Sequence, residues 1–283
     1  MNRVQRARPL LGTLVQIAAE APMPTVELHA VVTEAFAEIA LVHSLMSWHD
    51  ADSQLSRINR LAAMGPQPLH PHTRTVLAAA LEMARLSEGA FDPSVAGSLT
   101  KWGLLPIAPD AATLNDQASW RDIELDGERV RFHRQLWVDL GGIAKGYAVD
   151  LALQCLLRLG VPQCVVNAGG DLRVAGPSQH LVAIRHPLHV HALVHQLALN
   201  NEALATSSAF ESRYEGPAGP VCALVNPATG GAYSGQDSVS VRAPACMTAD
   251  ALTKVALFAP SAVAESVFEV CGAQCLRLEP APS

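Results

Sequence analysis

The 283-residue sequence predicts an α+β fold. Helix-like and strand-like stretches mix along it without the regular strand–helix rhythm that a doubly wound parallel sheet requires. Its composition, 49% apolar and only 16% charged, is that of a chain with a large buried core. It has no fixed-period repeat and no Ser/Gly-rich linker. Residues 1–283 are therefore expected to form a single domain, and any halves within it to pack together.

Near the amino terminus, "RPLLGTLVQIAA" alternates as a strand does, and "EAPMP" turns the chain. "TVELHAVVTEAFAEIALVHSLMSW" then repeats apolar residues every three or four positions, the stripe of a long amphipathic helix. A Gly-Pro breaker ends "SRINRLAAMGP", and "HTRTVLAAALEMARLSEG" predicts a second helix capped by Gly89. Residues 104–137 hold short strands and turns, with a hairpin centred on Asp126-Gly127. After "VDLGG" a helix runs through "AVDLALQCLLRLG". Strands are expected at "CVVNAGG", "DLRVAG", "HLVAIRH", "VHQLAL" and "SVSVRA". Helices at "MTADALTKVALFA" and "SAVAESVFEV" precede a closing strand, "CLRLE".

Several function classes fall away. A formal charge of -6, with no Lys/Arg run, excludes the basic footprint of a nucleic-acid binder. No window approaches the ~18 uninterrupted apolar residues of a membrane span. The basic start "MNRVQRARPLLG" leads into an apolar stretch too short for a signal peptide, so a cytoplasmic location is expected. The six cysteines are scattered among apolar residues with no CxxC pair, and read as reduced core thiols. "CGAQC" is too isolated to be a zinc site.

The chemistry begins at "VDLGGIAKGYAVD", residues 138–150. A helix that opens after a Gly-Gly turn presents unpaired N–H groups and the positive end of its dipole. Glycine lets a ligand approach the backbone closely, and Lys145 adds a full charge, a combination suited to phosphate. The spacing is neither GxGxxG nor GxxxxGK[ST], and a tight turn beside a surface lysine is the plainer alternative. In "GAFDPSVAGSLTKWG", Pro93 biases Asp92 toward an extended backbone, which either aims its carboxylate at a ligand or lets it cap the next segment. "VVNAGGDLRV" places a second Gly-Gly between two strands, as a tight hairpin or bulge would.

Taken together, these stretches resemble the FAD:protein FMN transferases, the ApbE family, from about residue 8 to residue 278. The motifs that carry the likeness occur in family order: "RPLLGT", "LMSWHDADSQLSRIN", "GAFDPSVAG", "VDLGGIAKGYAVD", "VVNAGGDLRV", "IRHP", "ATSSAFE", "NPATG" and "ADALTKVALF". The resemblance implies two intimately packed T-fold-like subdomains with FAD between them. It also implies a reaction: FAD, the substrate, is cleaved, its FMN part is joined to a Thr or Ser of an acceptor protein, and AMP is released. Gly141 and Lys145 would then flank the FAD diphosphate. Ala90, Phe91, Asp92 and Val225 would contact the flavin nucleotide, and Leu11 and His49 would lie near the flavin. Magnesium would be held by the Ala144 carbonyl, Asp250 and Thr253, with Asp250 the catalytic carboxylate.

The sequence departs from this pattern at several positions. Where the family has a threonine four residues after the aspartate, this chain has Lys254, with Thr253 one position earlier. Either Thr253 reaches a metal from position three, or Lys254 pairs with Asp250 and fills the space of the cation. Ala223 occupies the place of a histidine and has no proton to transfer; Asn226 replaces an aspartate, and Thr206–Ser208 reads "TSS" rather than "TSG". An FAD-binding protein without transferase activity and an FAD pyrophosphatase are the rival readings. Outside the resemblance, "RHPLHVHALVH" gathers His186, His189, His191 and His195, as a metal site or as a loop and a partly exposed strand.

Overall fold

The computed structural model describes residues 1–107, 112–185, 193–209, 213–216 and 219–279. The chain opens with a hairpin, β1 (Asn2–Leu10) and β2 (Thr13–Ala21), followed by helices α1 (Thr25–Met46) and α2 (Gln54–Leu61). Strand β3 (Gln67–Pro68), helices α3 (Pro71–Leu86) and α4 (Ala96–Lys101), and the hairpin β4 (Ile123–Asp126) and β5 (Arg129–Phe132) come next. Helix α5 (Ala144–Arg158) leads into β6 (Gln163–Ala168), β7 (Asp171–Ala175), β8 (His180–Arg185), β9 (Leu193–Leu199) and β10 (Ala203–Ser208). Two short pairs follow, β11 (Tyr214–Gly216) with β12 (Gly219–Val221) and β13 (Val225–Asn226) with β14 (Gly231–Ala232). The chain closes with β15 (Ser238–Ala243), α6 (Cys246–Phe258), α7 (Ser261–Val270) and β16 (Gln274–Leu278).

Seven strands form one sheet in the order β1-β2-β6-β7-β10-β15-β16, every neighbouring pair antiparallel. This is the expected α+β arrangement, with the helices packed on an antiparallel sheet rather than threaded between parallel strands. One face of the sheet takes the helices. Val15 and Ile17 of β2, Val166 of β6 and Val241 of β15 share a buried cluster with Phe36 of α1, Leu156 of α5 and Leu252 of α6. Helix α1 buries Leu28, Val31, Val32, Ala35, Phe36, Ile39 and Val42, the three-and-four spacing read in its sequence. The other face is covered by the β8–β9 hairpin, where Ile184 and Leu199 meet Leu172, Val174 and Leu204. Alternation along β7 and β10 thus divides their side chains between two cores.

Two turns matter for the site. Between β1 and β2, Leu11 (φ 56°) and Gly12 (φ 70°) give consecutive left-handed residues, as a two-residue hairpin turn requires. Leu11 takes a conformation costly for a side chain, and its N–H donates to His43 Nδ1 at 2.8 Å, tying the turn to α1. Between β6 and β7 the Gly169-Gly170 pair makes the expected tight hairpin, at φ 65° and 105°. At the end of α3 the helix stops at Leu86, and Gly89 (φ 89°) closes it through an N–H bond to Ala84 O at 2.8 Å.

His186, His189 and His191 lie outside the described residues, and His195 is exposed on β9. Among the described residues no three His, Cys, Asp or Glu side chains gather as a metal centre would. All six cysteines are free thiols. Among the described residues no helix is long and apolar enough to cross a membrane.

Candidate active site

The site is built on the crossing of α5 and α6. At Gly146 a Cβ would stand 2.3 Å from the Cys246 carbonyl oxygen, so only glycine permits this approach. Helix α6 begins after Ala245, which offers no side-chain cap. Its first amides find their acceptor on the other helix: Cys246 N–H and Met247 N–H donate to the two Asp150 oxygens, each at 2.9 Å. Arg173 from β7 donates to the same carboxylate at 2.8 Å. Burial pushes the Asp150 carboxyl up, against the pull of the two amides and Arg173.

The turn before α5 uses most of its amides internally. Gly141 N–H donates to Asp139 Oδ1 at 3.2 Å, Ile143 and Ala144 N–H donate to Leu140 O, and Gly146 N–H donates to Asp250 Oδ2 at 3.2 Å. The N–H groups of Gly142 and Lys145 have no partner among the described residues. Lys145 does not extend into solvent. Its ammonium is bonded to Asp171, the residue after the second Gly-Gly, and lies 4.0 Å from Asp250 Oδ2.

Asp250 is 1% exposed, and its two carboxylate oxygens and its main-chain oxygen each accept at least one hydrogen bond. Lys254 Nζ sits 2.5 Å from Asp250 Oδ1 and 3.0 Å from Asp250 O. Burial works against the charged form of Asp250. The Lys145 and Lys254 ammoniums and the Gly146 amide outweigh it and hold the carboxyl below its usual range. Thr253, fully buried, donates to Asp250 O at 2.7 Å. Its single proton is used there, so Ser207 Oγ, 2.7 Å away, is the donor in the Ser207–Thr253 bond.

Above this polar floor lies a cleft of about 580 Å³ lined by Leu11, His49, Gly141, Ala144, Lys145, Ser207 and Lys254, among others. A smaller recess of about 60 Å³ adjoins it, lined by Ala90, Phe91, Asp92 and Val225. The two share Leu99, Asp139, Gly142, Ala223, Leu224 and Lys254. Nine of the positions singled out from sequence thus border one continuous depression, while Asp250 and Thr253 lie beneath it. Asp92 gives Oδ1 to Ser94 N–H (2.7 Å) and to Ser94 Oγ (2.6 Å), and burial raises its pKa. Sequence reasoning marked Ser207 only as part of the Thr206–Ser208 motif, and missed Asp139, Asp171 and Asp150. Asp139 and Asp171 each lie beside a Gly-Gly pair, a signal that was present; Asp150 gave none.

Whether these residues fit a magnesium ion depends on the donors left to it. Magnesium takes six oxygens in a tight octahedron and usually keeps several waters. Here Lys254 holds Asp250 Oδ1, the Gly146 amide holds Oδ2 with Lys145 4.0 Å away, and Thr253 Oγ1 donates to Asp250 O and accepts from Ser207, so an ion would have to displace Lys254 to reach either buried residue. The set Ala144, Asp250 and Thr253, as it stands, does not fit the ion.

Comparison with known proteins gives the chain its relatives. The ApbE family profile matches residues 11–276. An FAD:protein FMN transferase of Vibrio cholerae is 28% identical over 266 residues, covering 89% of this chain and 80% of that protein. One from Treponema pallidum is 27% identical over 282 residues, covering 89% of this chain and 77% of that protein. The crystal structure of the ApbE protein of Thermotoga maritima shares the fold with a TM-score of 0.85 at 24% identity, covering 98% of this chain and 94% of that one. A mutant of the flavin transferase ApbE from Vibrio cholerae superposes with a TM-score of 0.81 at 25% identity, covering 99% of this chain and 95% of that one.

Proposed function

Because the chain belongs to the ApbE family, we propose that it is an FAD:protein FMN transferase, moving FMN from FAD to a Thr or Ser hydroxyl of an acceptor protein. The observation that carries this reading is the cleft, which brings Leu11, His49, Gly141 and Lys145 together, with Ala90, Phe91, Asp92 and Val225 in the adjoining recess. Its apolar part suits a flavin ring, and its glycine turn and two lysines suit a diphosphate.

In the reaction the acceptor hydroxyl oxygen attacks the FMN phosphorus. A new P–O bond forms while the bond from that phosphorus to the bridging oxygen breaks, and the bridging oxygen leaves on AMP with the electron pair. The hydroxyl proton passes to a base or to solvent. Negative charge grows on the diphosphate oxygens, and the Gly142 and Lys145 amides with the Lys145 and Lys254 ammoniums are the groups of this chain placed to offset it. Ala223 borders the cleft and its side chain supplies no proton-transfer group, which favours a second reading, FAD binding without transfer.

Incubation with FAD and a peptide carrying an exposed threonine tests both readings. The transferase reading expects a peptide mass gain of FMN less water, matched by AMP. AMP with free FMN and an unmodified peptide would mean hydrolysis, and bound FAD without AMP would mean a binding protein.

A further inference from the structure

We infer that Lys254 takes the place of a divalent cation in this site, so that the FAD diphosphate rests on an ammonium rather than on a metal ion. The inference rests on the FAD-binding part of the proposal above. Three observations carry it.

The first concerns donors. Lys254 Nζ already holds both the carboxylate and the main-chain oxygen of Asp250, the two acceptor groups of that residue a cation would seek. Thr253 spends its proton on Asp250 O and receives Ser207. With Asp250 1% and Thr253 0% exposed, neither presents surface on which a hydrated ion could settle without first moving Lys254.

The second concerns charge. The buried carboxylates of Asp250 and Asp171 face the ammoniums of Lys145 and Lys254, two negative charges against two positive. A divalent ion added beside Asp250 would meet a carboxylate already paired; Asp139, whose Oδ1 takes the Gly141 amide, is the carboxylate bordering the cleft that has no ion-pair partner among the described residues. Its entry would also push cations together in a medium of low dielectric.

The third concerns aim. The Lys254 stem lies against Gly142, where a Cβ would stand 3.2 Å from Lys254 Cε, and the side chain borders both the cleft and the recess. Glycine at 142 leaves the lane along which the lysine reaches Asp250. The ammonium therefore lies where the turn amides and the two compartments meet, the position a diphosphate spanning them would contact. An ammonium has three donors: two are used on Asp250, and the third is left for the ligand.

The test uses Mn2+ as the metal probe, read by electron paramagnetic resonance, and FAD binding read by flavin fluorescence in EDTA. The wild-type chain is expected to leave Mn2+ free and to bind FAD with less than about a twofold change on chelation. Lys254→Met, which keeps the stem and removes the charge, is expected to weaken FAD binding by about tenfold or more. Lys254→Thr, which vacates the Asp250 oxygens, is expected to bind Mn2+ and to recover FAD affinity when the metal is added. Stoichiometric Mn2+ binding by the wild type, or loss of its FAD binding in EDTA, would overturn the inference, as would unchanged affinity in a folded Lys254→Met. The transferase reading is judged separately by peptide mass. FAD bound without metal and no transfer to any acceptor would remove that reading and leave the assignment of Lys254 standing.

Discussion

Asp250→Asn is expected to lower FAD-dependent transfer by about a hundredfold or more while the chain still folds. Asp250 positions both lysines of the floor and receives the Gly146 amide, so a neutral amide in its place leaves Lys254 held only by neutral oxygens and Asp171 as the one carboxylate on Lys145. Breaking a buried pair by removing one partner costs roughly 3–5 kcal/mol, and asparagine, which keeps the shape and one acceptor, should fall at the low end. The pH dependence gives a separate signature. Asp250 is depressed below its ordinary 3.8, so its contribution to stability is fully present above that value and is lost as pH falls toward the folded pKa. Asp92, Asp139 and Asp150 are raised, and each favours the folded state on protonation as pH falls through its own raised value. Asp92 and Asp150 are common to both proteins and cancel in the difference between wild-type and Asp250→Asn melting temperatures, whereas Asp139 feels both the Asp250 charge and Lys254, so the difference reports Asp250 together with that neighbour. That difference should be constant near neutrality and shrink below about pH 4. A difference that stays flat in acid would mean that the carboxylate is not held by its lysines.

Gly146→Ala should be the most damaging small substitution for the fold. The added Cβ would meet Cys246 O at 2.3 Å, Cys246 C at 2.6 Å and Met247 N at 2.7 Å, all of them main-chain atoms. No rotamer change relieves such contacts, so α5 and α6 must separate. Separation also draws Asp150 away from the first amides of α6 and Gly146 N–H away from Asp250. The expected loss is about 3 kcal/mol or more, at the upper end for overpacking because capping bonds go with it. Gly65→Ala is the control: a Cβ there meets nothing within 4 Å, and its backbone is not left-handed. It should shift stability by no more than about 0.5 kcal/mol. Urea unfolding of the two variants decides the matter, and equal midpoints would contradict the close helix crossing.

The long helices and the sheet strands were legible because each rests on one periodicity within one segment. Helix α1 declares itself by its three-and-four stripe and β7 by alternation, whatever they later pack against. The turn at Gly141-Gly142 was legible for the same local reason. What the sequence did not reveal are pairings across distance. The Asp150 cap of α6 joins residues 96 apart, the Gly146–Asp250 bond 104 apart and the Lys145–Asp171 pair 26 apart. Nothing in the periodicity of either partner announces the other. Lys254 and Thr253 illustrate a different limit. Positions three and four after Asp250 share a helix face, so spacing alone left both able to meet it. Their side-chain lengths separate them: the long lysine stem folds back along Gly142 to the carboxylate, and the short threonine turns to the main chain and Ser207. For Asp92, Pro93 left two roles open, a carboxylate aimed at a ligand or a cap on the next segment, and Ser94 N–H and Oγ take one of its oxygens as the second requires.

The most direct test of the account is a crystal structure of the chain with FAD bound in the presence of EDTA. The account predicts the isoalloxazine ring beside Leu11 and His49, with the diphosphate within hydrogen-bond distance of the Gly142 and Lys145 amides and of Lys254 Nζ. FAD lying outside this cleft, or a diphosphate remote from the Gly141–Lys145 turn, would contradict it.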